Sequence, residues 1–305
     1  MSNKKKILFS IIIPTYNNDF LLKKAIYSVI SQTLQDFELL IIDNNSKDQT
    51  SEIISSFNDS RIKHIKINNE GIIAKSRNLG IKLAKGEWIA FLDSDDIWYY
   101  QRLEKISNTI KKVIKLDVIS TNEYKVYDNS SKKLKLFYGV SGRNKYKQLI
   151  LYGNRFSPSA TVVRKSFLKK NSIFFKEDKK FVTVEDYDFW LMLAFYNAKF
   201  IFLKSFEGEY LIHLNNASNK INLHNQNLNN LLKNHIYNIQ QFTSNKDQLY
   251  RKIMNFRKFS VLLKTKNIKN LFLIFIESPF FIFNILLIKF IIKLKNEIIY
   301  FFKIN

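Results

Sequence analysis

The first ninety residues alternate between short apolar runs and segments with helical spacing, and this alternation limits the possible folds more than any other feature. Apolar runs of strand length occupy residues 7–13, 37–42 and 87–92, and residues 61–67 read as a further strand. Helical spacing of apolar residues occurs at 19–32 and 72–84, and Ser46-Lys47-Asp48 begins a further helix. Strands that are apolar throughout are typical of a parallel sheet covered on both faces. The sequence predicts an open α/β sheet whose ligands lie beyond the carboxyl ends of the strands.

From about residue 115 the pattern changes to that of a mixed sheet. Residues 116–127 and 133–140 look like paired strands, and strand-like runs follow at 158–164, 181–184, 200–203 and 208–213. A helix is expected over Glu185–Ala198, with Phe189, Trp190, Leu193 and Ala194 on its inner face. We read this half as the continuation of one domain that spans residues 1–220.

Residues 221–305 differ from the rest in charge and in pattern. They contain 13 Lys or Arg against 3 acidic residues and lack strand alternation, which predicts a basic helical tail. The apolar segment 271–292 is interrupted by polar residues and falls short of a clean membrane-spanning helix. Two interpretations stay open: a peripheral anchor on an anionic membrane, or a helical appendage that packs on the core or on a partner chain.

The formal net charge of +23 implies an anionic partner, without choosing among phosphate-bearing substrates, nucleic acid and acidic lipid. The start of the chain, MSNKKKILFSIII, superficially looks like a signal peptide, but its apolar run is too short and lacks a small-residue cleavage site. We therefore expect a cytoplasmic protein, peripheral on the inner face of the cell membrane. There is no Cys, so any metal must be held by oxygen or His.

An apolar strand delivers three carboxylates at its carboxyl end, in Asp93-Ser94-Asp95-Asp96. Hard divalent metals prefer carboxylate oxygens and commonly bridge to substrate phosphates. The run therefore favours a site for Mn²⁺ or Mg²⁺ that holds a diphosphate. The alternative is a solvated acidic turn or a helix N-cap, since so short a motif is weak alone.

The acidic run is the last of several motifs in a characteristic order. The others include Ile13-Pro14-Thr15-Tyr16-Asn17, Asp43-Asn44-Asn45-Ser46, Asn69-Glu70-Gly71 and Ser76-Arg77-Asn78. Together they resemble family 2 glycosyltransferases of the bacterial polysaccharide and lipopolysaccharide type, which implies a GT-A fold, Rossmann-like with a mixed sheet, and an inverting reaction. The resemblance is strong over residues 10–98, moderate over 157–218 and absent from the tail.

The resemblance assigns residues to a nucleotide-sugar donor site. Pro14, Tyr16 and Asn44 would line the base pocket beside Asp43, and Arg77 would lie near the nucleotide. Asp93 would touch the ribose side next to Ser94, and Asp95 would bind the metal with Asp93.

Many relatives have two acids where this chain has Asp43-Asn44. Asn offers one acceptor and one donor, which complement uracil N3–H and O4, so we expect a uridine nucleotide, although thymine presents the same edge. Asn44 could instead be a turn residue that bonds its own backbone.

A second acidic constellation, Glu185-Asp186-Tyr187-Asp188-Phe189-Trp190, opens a predicted helix and resembles the E-D motif of the same family. An inverting transfer needs a base for the acceptor hydroxyl, and a carboxylate at a helix start is well placed for it. We assign Asp186 as the base, with Glu185 as its orienting neighbour or the second candidate. The competing interpretation is that these acids merely cap the helix.

Three further assignments are less specific. His213 resembles a family His and is a third metal-ligand or diphosphate-contact candidate, although a strand-end His is often an ordinary hydrogen-bonded residue. Residues 156–161 either shape the acceptor side or form a bent loop that enters a strand. Trp98 either stacks on a sugar or belongs to the core.

The sequence thus predicts a metal-dependent hexosyltransferase-type enzyme acting on a nucleotide sugar and on a glycan or lipid-linked acceptor in surface polysaccharide synthesis. A nucleotidyltransferase of similar architecture and a non-catalytic nucleic-acid- or membrane-binding module are the alternatives. No groove-reading element or stacking platform for nucleic acid is found, so no nucleic-acid partner is expected. A dehydrogenase is disfavoured because no G-x-G-x-x-G follows the first strand.

Overall fold

The computed structural model describes residues 7–128, 132–213 and 221–264, together with Phe283. In its first half the predicted alternation is confirmed, with element ends shifted by a few residues. The strands are β1 (Phe9–Thr15), β2 (Phe37–Asp43), β3 (Ile62–Lys66) and β4 (Trp88–Phe91). The helices between them are α1 (Asp19–Ile30), α2 (Thr50–Ser56) and α3 (Ile73–Leu83).

The second half is mixed, as expected, and adds elements that the pattern does not predict. The elements in chain order are β5 (Ile97–Trp98), α4 (Arg102–Lys112), β6 (Val118–Tyr127), β7 (Lys133–Leu136), α5 (Lys145–Tyr152), β8 (Thr161–Arg164), α6 (Lys165–Asn171), α7 (Glu185–Phe195) and β9 (Phe200–Ile212). Two predictions are corrected here. Residues 181–184 are not a strand, because a 3-10 turn at Lys179–Phe181 leads into α7, and the two closing strands are one continuous strand, β9.

The strands form one sheet in the order β3-β2-β1-β4-β8-β6-β9-β5, and β7 pairs with β6. The first four strands are parallel, whereas β8 is antiparallel to both of its neighbours. In the register, Thr15 lies beside Asp43 and Ile12 beside Phe91. The carboxyl ends of β1, β2 and β4 therefore meet at one edge of the sheet.

Strand β1 is buried along its whole length because helices cover both of its faces. Phe9, Ile11 and Ile13 pack in a cluster with the buried face of α1. On the opposite face, Ile12 contacts α3 at Gly80, where an added Cβ would lie 2.5 Å from an Ile12 side-chain atom. Alternate side chains of a strand point to opposite faces, so a two-sided core requires the continuous apolar run that the sequence shows.

The chain divides into two compact units, one of residues 1–146 and 154–228 and one of residues 147–153 and 229–305. The predicted tail contains α8 (Ile221–Lys233), a π-helical turn (Asn234–Ile239) and α9 (Lys246–Lys264), with a non-helical link at residues 240–245. None of the helices within the described residues is long and apolar enough to cross a lipid bilayer. Apart from Phe283, the segment 271–292 lies outside the described residues.

Candidate active site

The candidate site lies where β1, β2 and β4 end. The N–H of Asn44 donates to the Thr15 carbonyl at 2.9 Å, and the N–H of Leu92 donates to the Ile12 carbonyl at 3.0 Å. The loops after β1 and β2 are also tied together, because Asn17 Oδ1 accepts a 2.8 Å hydrogen bond from the N–H of Lys47. These hydrogen bonds bring the predicted base-pocket residues and the acidic run to the same edge of the sheet.

Each member of Asp93-Ser94-Asp95 has a different partner. Asp93 Oδ1 accepts from Arg77 Nη2 at 2.7 Å, and Ser94 Oγ accepts from Asn18 Nδ2 at 3.0 Å. Asp95 Oδ2 lies 2.8 Å from His213 Nε2. The structure thus brings His213 to the acidic run, although the two are 118 residues apart in sequence.

Asp95 is a partly buried carboxylate with a second acidic side chain nearby. Burial and the nearby negative charge of Asp93 raise its pKa, and the contact with His213 opposes that rise. Within the described residues, no three His, Asp or Glu side chains converge into a ready-made metal-binding group. The donor set still fits Mn²⁺ or Mg²⁺, since Mg²⁺ is usually bound through one or two carboxylates plus substrate phosphates, and a cation would relieve the repulsion between the two acids.

Asp96 holds this turn in place rather than facing the site. It is 1% exposed, and its Oδ2 accepts from Ser159 Oγ at 2.5 Å while its Oδ1 accepts from the N–H of Leu211 at 3.1 Å. Ser159 Oγ in turn accepts from the N–H of Asp93 at 3.0 Å. One side chain therefore connects the acidic turn, the loop before β8 and the end of β9, two residues before His213.

Asp43 is fully buried at the end of β2. Its Oδ1 accepts from the N–H of Ser46 at 2.9 Å and from Ser46 Oγ at 2.6 Å. Its Oδ2 lies 3.1 Å from His64 Nε2 on β3. These contacts use both carboxylate oxygens to fix the loop that carries Asn44.

The side-chain amide of Asn44 has a fixed orientation. Its Oδ1 accepts from the N–H of Asn69 at 2.8 Å, so the acceptor that the sequence argument gave to uracil N3–H already has a donor, and Nδ2 is the group oriented away from that bond. Pro14 is buried at the end of β1, whereas the Tyr16 side chain, two residues later, is 57% exposed. An exposed ring at this position is suited to stacking on a planar base.

Arg77 connects the donor side of the site to the second acidic constellation. It is 3% exposed, and besides its bond to Asp93 it donates from Nη1 to Glu185 Oε1 at 2.9 Å. Burial alone would lower the pKa of Arg77, but the nearby carboxylates of Asp93 and Glu185 raise it by more. The net pKa is therefore above the ordinary value, and the guanidinium stays charged. The structure thus places Arg77 against Asp93, and its place near a nucleotide stays a prediction.

Asp186 lies in the first turn of α7 and is partly exposed. Burial, followed by the negative charge of Glu185, raises its pKa to about 7, against the opposing influence of Arg77 and of hydrogen bonds from the N–H of Tyr187 and from Asn154. The Asn154 Nδ2 to Asp186 Oδ2 distance is 3.0 Å. A carboxylate with a pKa near neutrality suits a general base.

The remaining sequence assignments resolve into structural roles. Trp98 is 2% exposed and its Nε1 donates to the Ser159 carbonyl at 2.8 Å, so it belongs to the core. Phe156 stacks on Trp190 with a centroid distance of 5.4 Å. Residues that the sequence reasoning missed, Asn154 and His64 among them, carry no local motif that could have revealed them.

The parallel half-sheet continued by a mixed half, with an acidic turn at the carboxyl edge of the parallel strands, is the GT-A fold. Residues 10–173 match the model of Glycosyl transferase family 2, and the chain belongs to that family. An uncharacterized glycosyltransferase of Rickettsia typhi is 32% identical over 187 residues, 60% of this chain and 57% of that protein, so this chain spans little more than half the length of that relative. The WfgD protein of Escherichia coli, a UDP-Glc:alpha-D-GlcNAc-diphosphoundecaprenol beta-1,3-glucosyltransferase, is 33% identical over 187 residues, 61% of this chain and 69% of that protein.

Solved structures agree on the fold. S. aureus TarS 1–349 in complex with UDP-GlcNAc superposes with a TM-score of 0.65 at 25% identity, over 83% of this chain and 73% of that one. The mannosyltransferase PcManGT from Pyrobaculum calidifontis, in complex with GDP-Man and Mn2+, superposes with a TM-score of 0.58 at 15% identity, over 81% of this chain and 69% of that one, and supports the fold alone.

Proposed function

We propose that this chain is an inverting, metal-dependent glycosyltransferase that moves a sugar from a UDP-sugar to a hydroxyl of a glycan or lipid-linked acceptor in surface polysaccharide synthesis. The observation that carries the proposal is the Asp93–Arg77–Glu185 network, with bonds of 2.7 and 2.9 Å. It fixes the donor-side acid and the helix that presents Asp186 in one rigid arrangement, as a transfer between two substrates requires.

In the proposed reaction, Asp186 accepts the proton of the acceptor hydroxyl while the hydroxyl oxygen forms a bond to the anomeric carbon. The bond from that carbon to the diphosphate breaks, and UDP leaves with the electron pair. Mn²⁺ or Mg²⁺, held by Asp95 and Asp93 with His213, would supply positive charge beside the leaving diphosphate. Glu185 is assigned to positioning, because its carboxylate is buried and paired with Arg77.

The donor assignment is supported from two directions. The donor of the WfgD relative is UDP-Glc and the ligand in the TarS structure is UDP-GlcNAc, so both are uridine diphosphate sugars. In this chain Asn44 Oδ1 is engaged by Asn69, which leaves Nδ2 as a donor that complements a uracil carbonyl, and the ring of Tyr16 is exposed for stacking on a base. Pro14, Asp43 and Ser94 complete the proposed donor site through backbone placement and hydrogen bonds.

The remaining proposals concern organisation. We assign residues 1–220 to the catalytic domain and residues 221–305 to a region that contacts an anionic membrane surface from the cytoplasm. The support is the concentration of basic residues, of which Arg251, Lys252, Arg257 and Lys258 lie on α9. A membrane-bound position would bring the enzyme to a lipid-linked acceptor.

The test is a panel of UDP-, dTDP- and GDP-sugars, assayed for release of the nucleoside diphosphate with and without Mn²⁺ or Mg²⁺. We expect turnover with a UDP-sugar, loss of turnover on chelation, and a product whose anomeric configuration is opposite to that of the donor. Asp186→Asn should abolish transfer in a folded protein, while Glu52→Gln, an exposed acid on α2, should not. Release of pyrophosphate, or retained activity in Asp186→Asn, contradicts the proposal.

A further inference from the structure

The loop that leads into α7 has a strained backbone next to the proposed base. Thr183 has φ of +72°, in the left-handed region, three residues before Asp186. A β-branched residue is rarely found there, because its Cβ collides with the backbone. Such a conformation persists only where the surroundings hold it, and it is common at functional sites.

The surroundings that hold it belong to α8, the first helix of the basic tail region. Asn227 is 3% exposed, and its amide nitrogen donates to the Lys179 carbonyl at 3.1 Å and to the Val182 carbonyl at 2.9 Å. Three residues earlier on the same helix face, His224 Nδ1 lies 3.2 Å from the Thr183 carbonyl and 3.3 Å from Thr183 Oγ1. One face of α8 therefore contacts the loop at Lys179, Val182 and Thr183.

The start of α7 is held by the bond from Arg77 to Glu185, but it lacks a capping side chain. The N-cap of α7 is Val184, whose side chain cannot accept a hydrogen bond from the first turn. The direction in which α7 presents Asp186 therefore depends on the loop that precedes it, including the 3-10 turn at Lys179–Phe181, as well as on the bond from Arg77 to Glu185. Both hydrogens of the Asn227 amide are directed at carbonyl groups on either side of the end of that turn.

We propose that Asn227 is a positioning residue for transfer: it clamps the loop 179–183 and so sets the place of Asp186 relative to the donor. The inference rests on the proposed function for the role of Asp186. It also assigns the beginning of the tail region, which the family resemblance does not cover, a part in building the active site.

The clamp is tested with full-length variants. Asn227→Ala removes both hydrogen bonds, and Asn227→Asp keeps the shape but places acceptor oxygens against two carbonyl groups. We expect kcat to fall about 10- to 100-fold in both, and more in Asn227→Asp, because small displacements of a reacting group cost rate steeply. The KM for the UDP-sugar should stay within about twofold of the wild-type value, since the donor site is not touched. Gln226→Ala, at an exposed position on the same helix, is the matched control.

Two readouts separate positioning from general destabilisation. Hydrogen exchange at residues 179–186 should be faster in Asn227→Ala, with unchanged exchange in β1 and β4. Thr183→Gly should restore kcat at least severalfold in the Asn227→Ala background, because Gly adopts positive φ without the steric cost.

The clamp would be overturned if Asn227→Ala had the same kcat and the same hydrogen exchange as the wild type. It would also be overturned if Thr183→Gly did not restore kcat in the Asn227→Ala background. Wild-type protein that turns over none of the donors would refute the proposed function instead. The exchange measurement would then still decide whether Asn227 holds the loop.

Discussion

The rate of transfer should depend on pH through Asp186, and the structure gives the size of the effect. Burial and the charge of Glu185 raise the pKa of this carboxyl group to about 7, from the ordinary value of 3.8. A general base acts only when it is deprotonated, so the rate should increase as the pH rises through this value.

With a pKa of about 7, roughly 90% of Asp186 is ionised at pH 8, roughly 10% at pH 6 and roughly 1% at pH 5. We therefore expect kcat under saturating substrates to fall about tenfold for each pH unit below 7, and about 100-fold between pH 8 and pH 5. The assay is release of UDP in a series of buffers at constant ionic strength and metal concentration. A kcat that is flat between pH 5 and pH 8 would refute the assignment, because an aspartate with an ordinary pKa is almost fully ionised throughout that range.

Asn154 provides an internal check on the same reasoning. Its amide donates to Asp186 Oδ2 at 3.0 Å and thereby stabilises the ionised form. A hydrogen bond to a charged group contributes about 1.5 kcal/mol before allowance for partial exposure, and 1.36 kcal/mol corresponds to about one pH unit. Asn154→Ala should thus move the midpoint of the pH profile upward by about half to one pH unit. Gln226→Ala should leave the midpoint in place, and a downward movement in Asn154→Ala would contradict the hydrogen-bond argument.

Three further predictions test the frame around this site. Asp96→Ala should lower kcat at least tenfold and weaken the dependence on metal, because it removes the 3.1 Å bond to Leu211 that fixes the end of β9. Asp96→Asn keeps that acceptor and should retain more activity, so equal kinetics of the two variants would contradict the prediction. Calorimetry should show that Mn²⁺ strengthens UDP binding to the wild type but not to Asp95→Ala, and identical binding by both proteins would exclude the metal site. Gly86→Ala should lower the free energy of unfolding by about 1–3 kcal/mol, since the new Cβ would lie 2.5 Å from the Ser10 backbone nitrogen, whereas Lys85→Ala should leave the melting temperature unchanged.

The sequence predicted the parallel half of the sheet because that half is encoded locally. β1 and β2 are buried at every position and mostly apolar, apart from polar residues such as Ser10 and Glu38, which bond each other, and the turn residues after the strands mark where they end. Since parallel strands align their carboxyl ends, the acidic run after β4 had to lie at the same edge as Asn44. The start of α7 at Glu185 was likewise predictable from the spacing of its apolar residues.

The second half was harder to predict for a physical reason. β9 is a single long strand, although polar residues in its middle made it look like two, because its pairing with β6 includes irregular steps that accommodate them. The run 181–184 looks like a strand, yet it forms a turn and a strained residue, because contacts from α8 outweigh local propensity.

What the sequence determined by itself is the family, the order of the elements and the places where carboxylates emerge from the sheet. Only the tertiary structure decided which partner each side chain has. It paired Arg77 with Glu185 across 108 residues of sequence. It also buried Asp96 while placing Asp95 in contact with His213, and it placed Asn227 against the loop before the proposed base. Hydrogen bonds are short and directional, so their partners follow from how distant segments approach one another, which a local pattern does not encode.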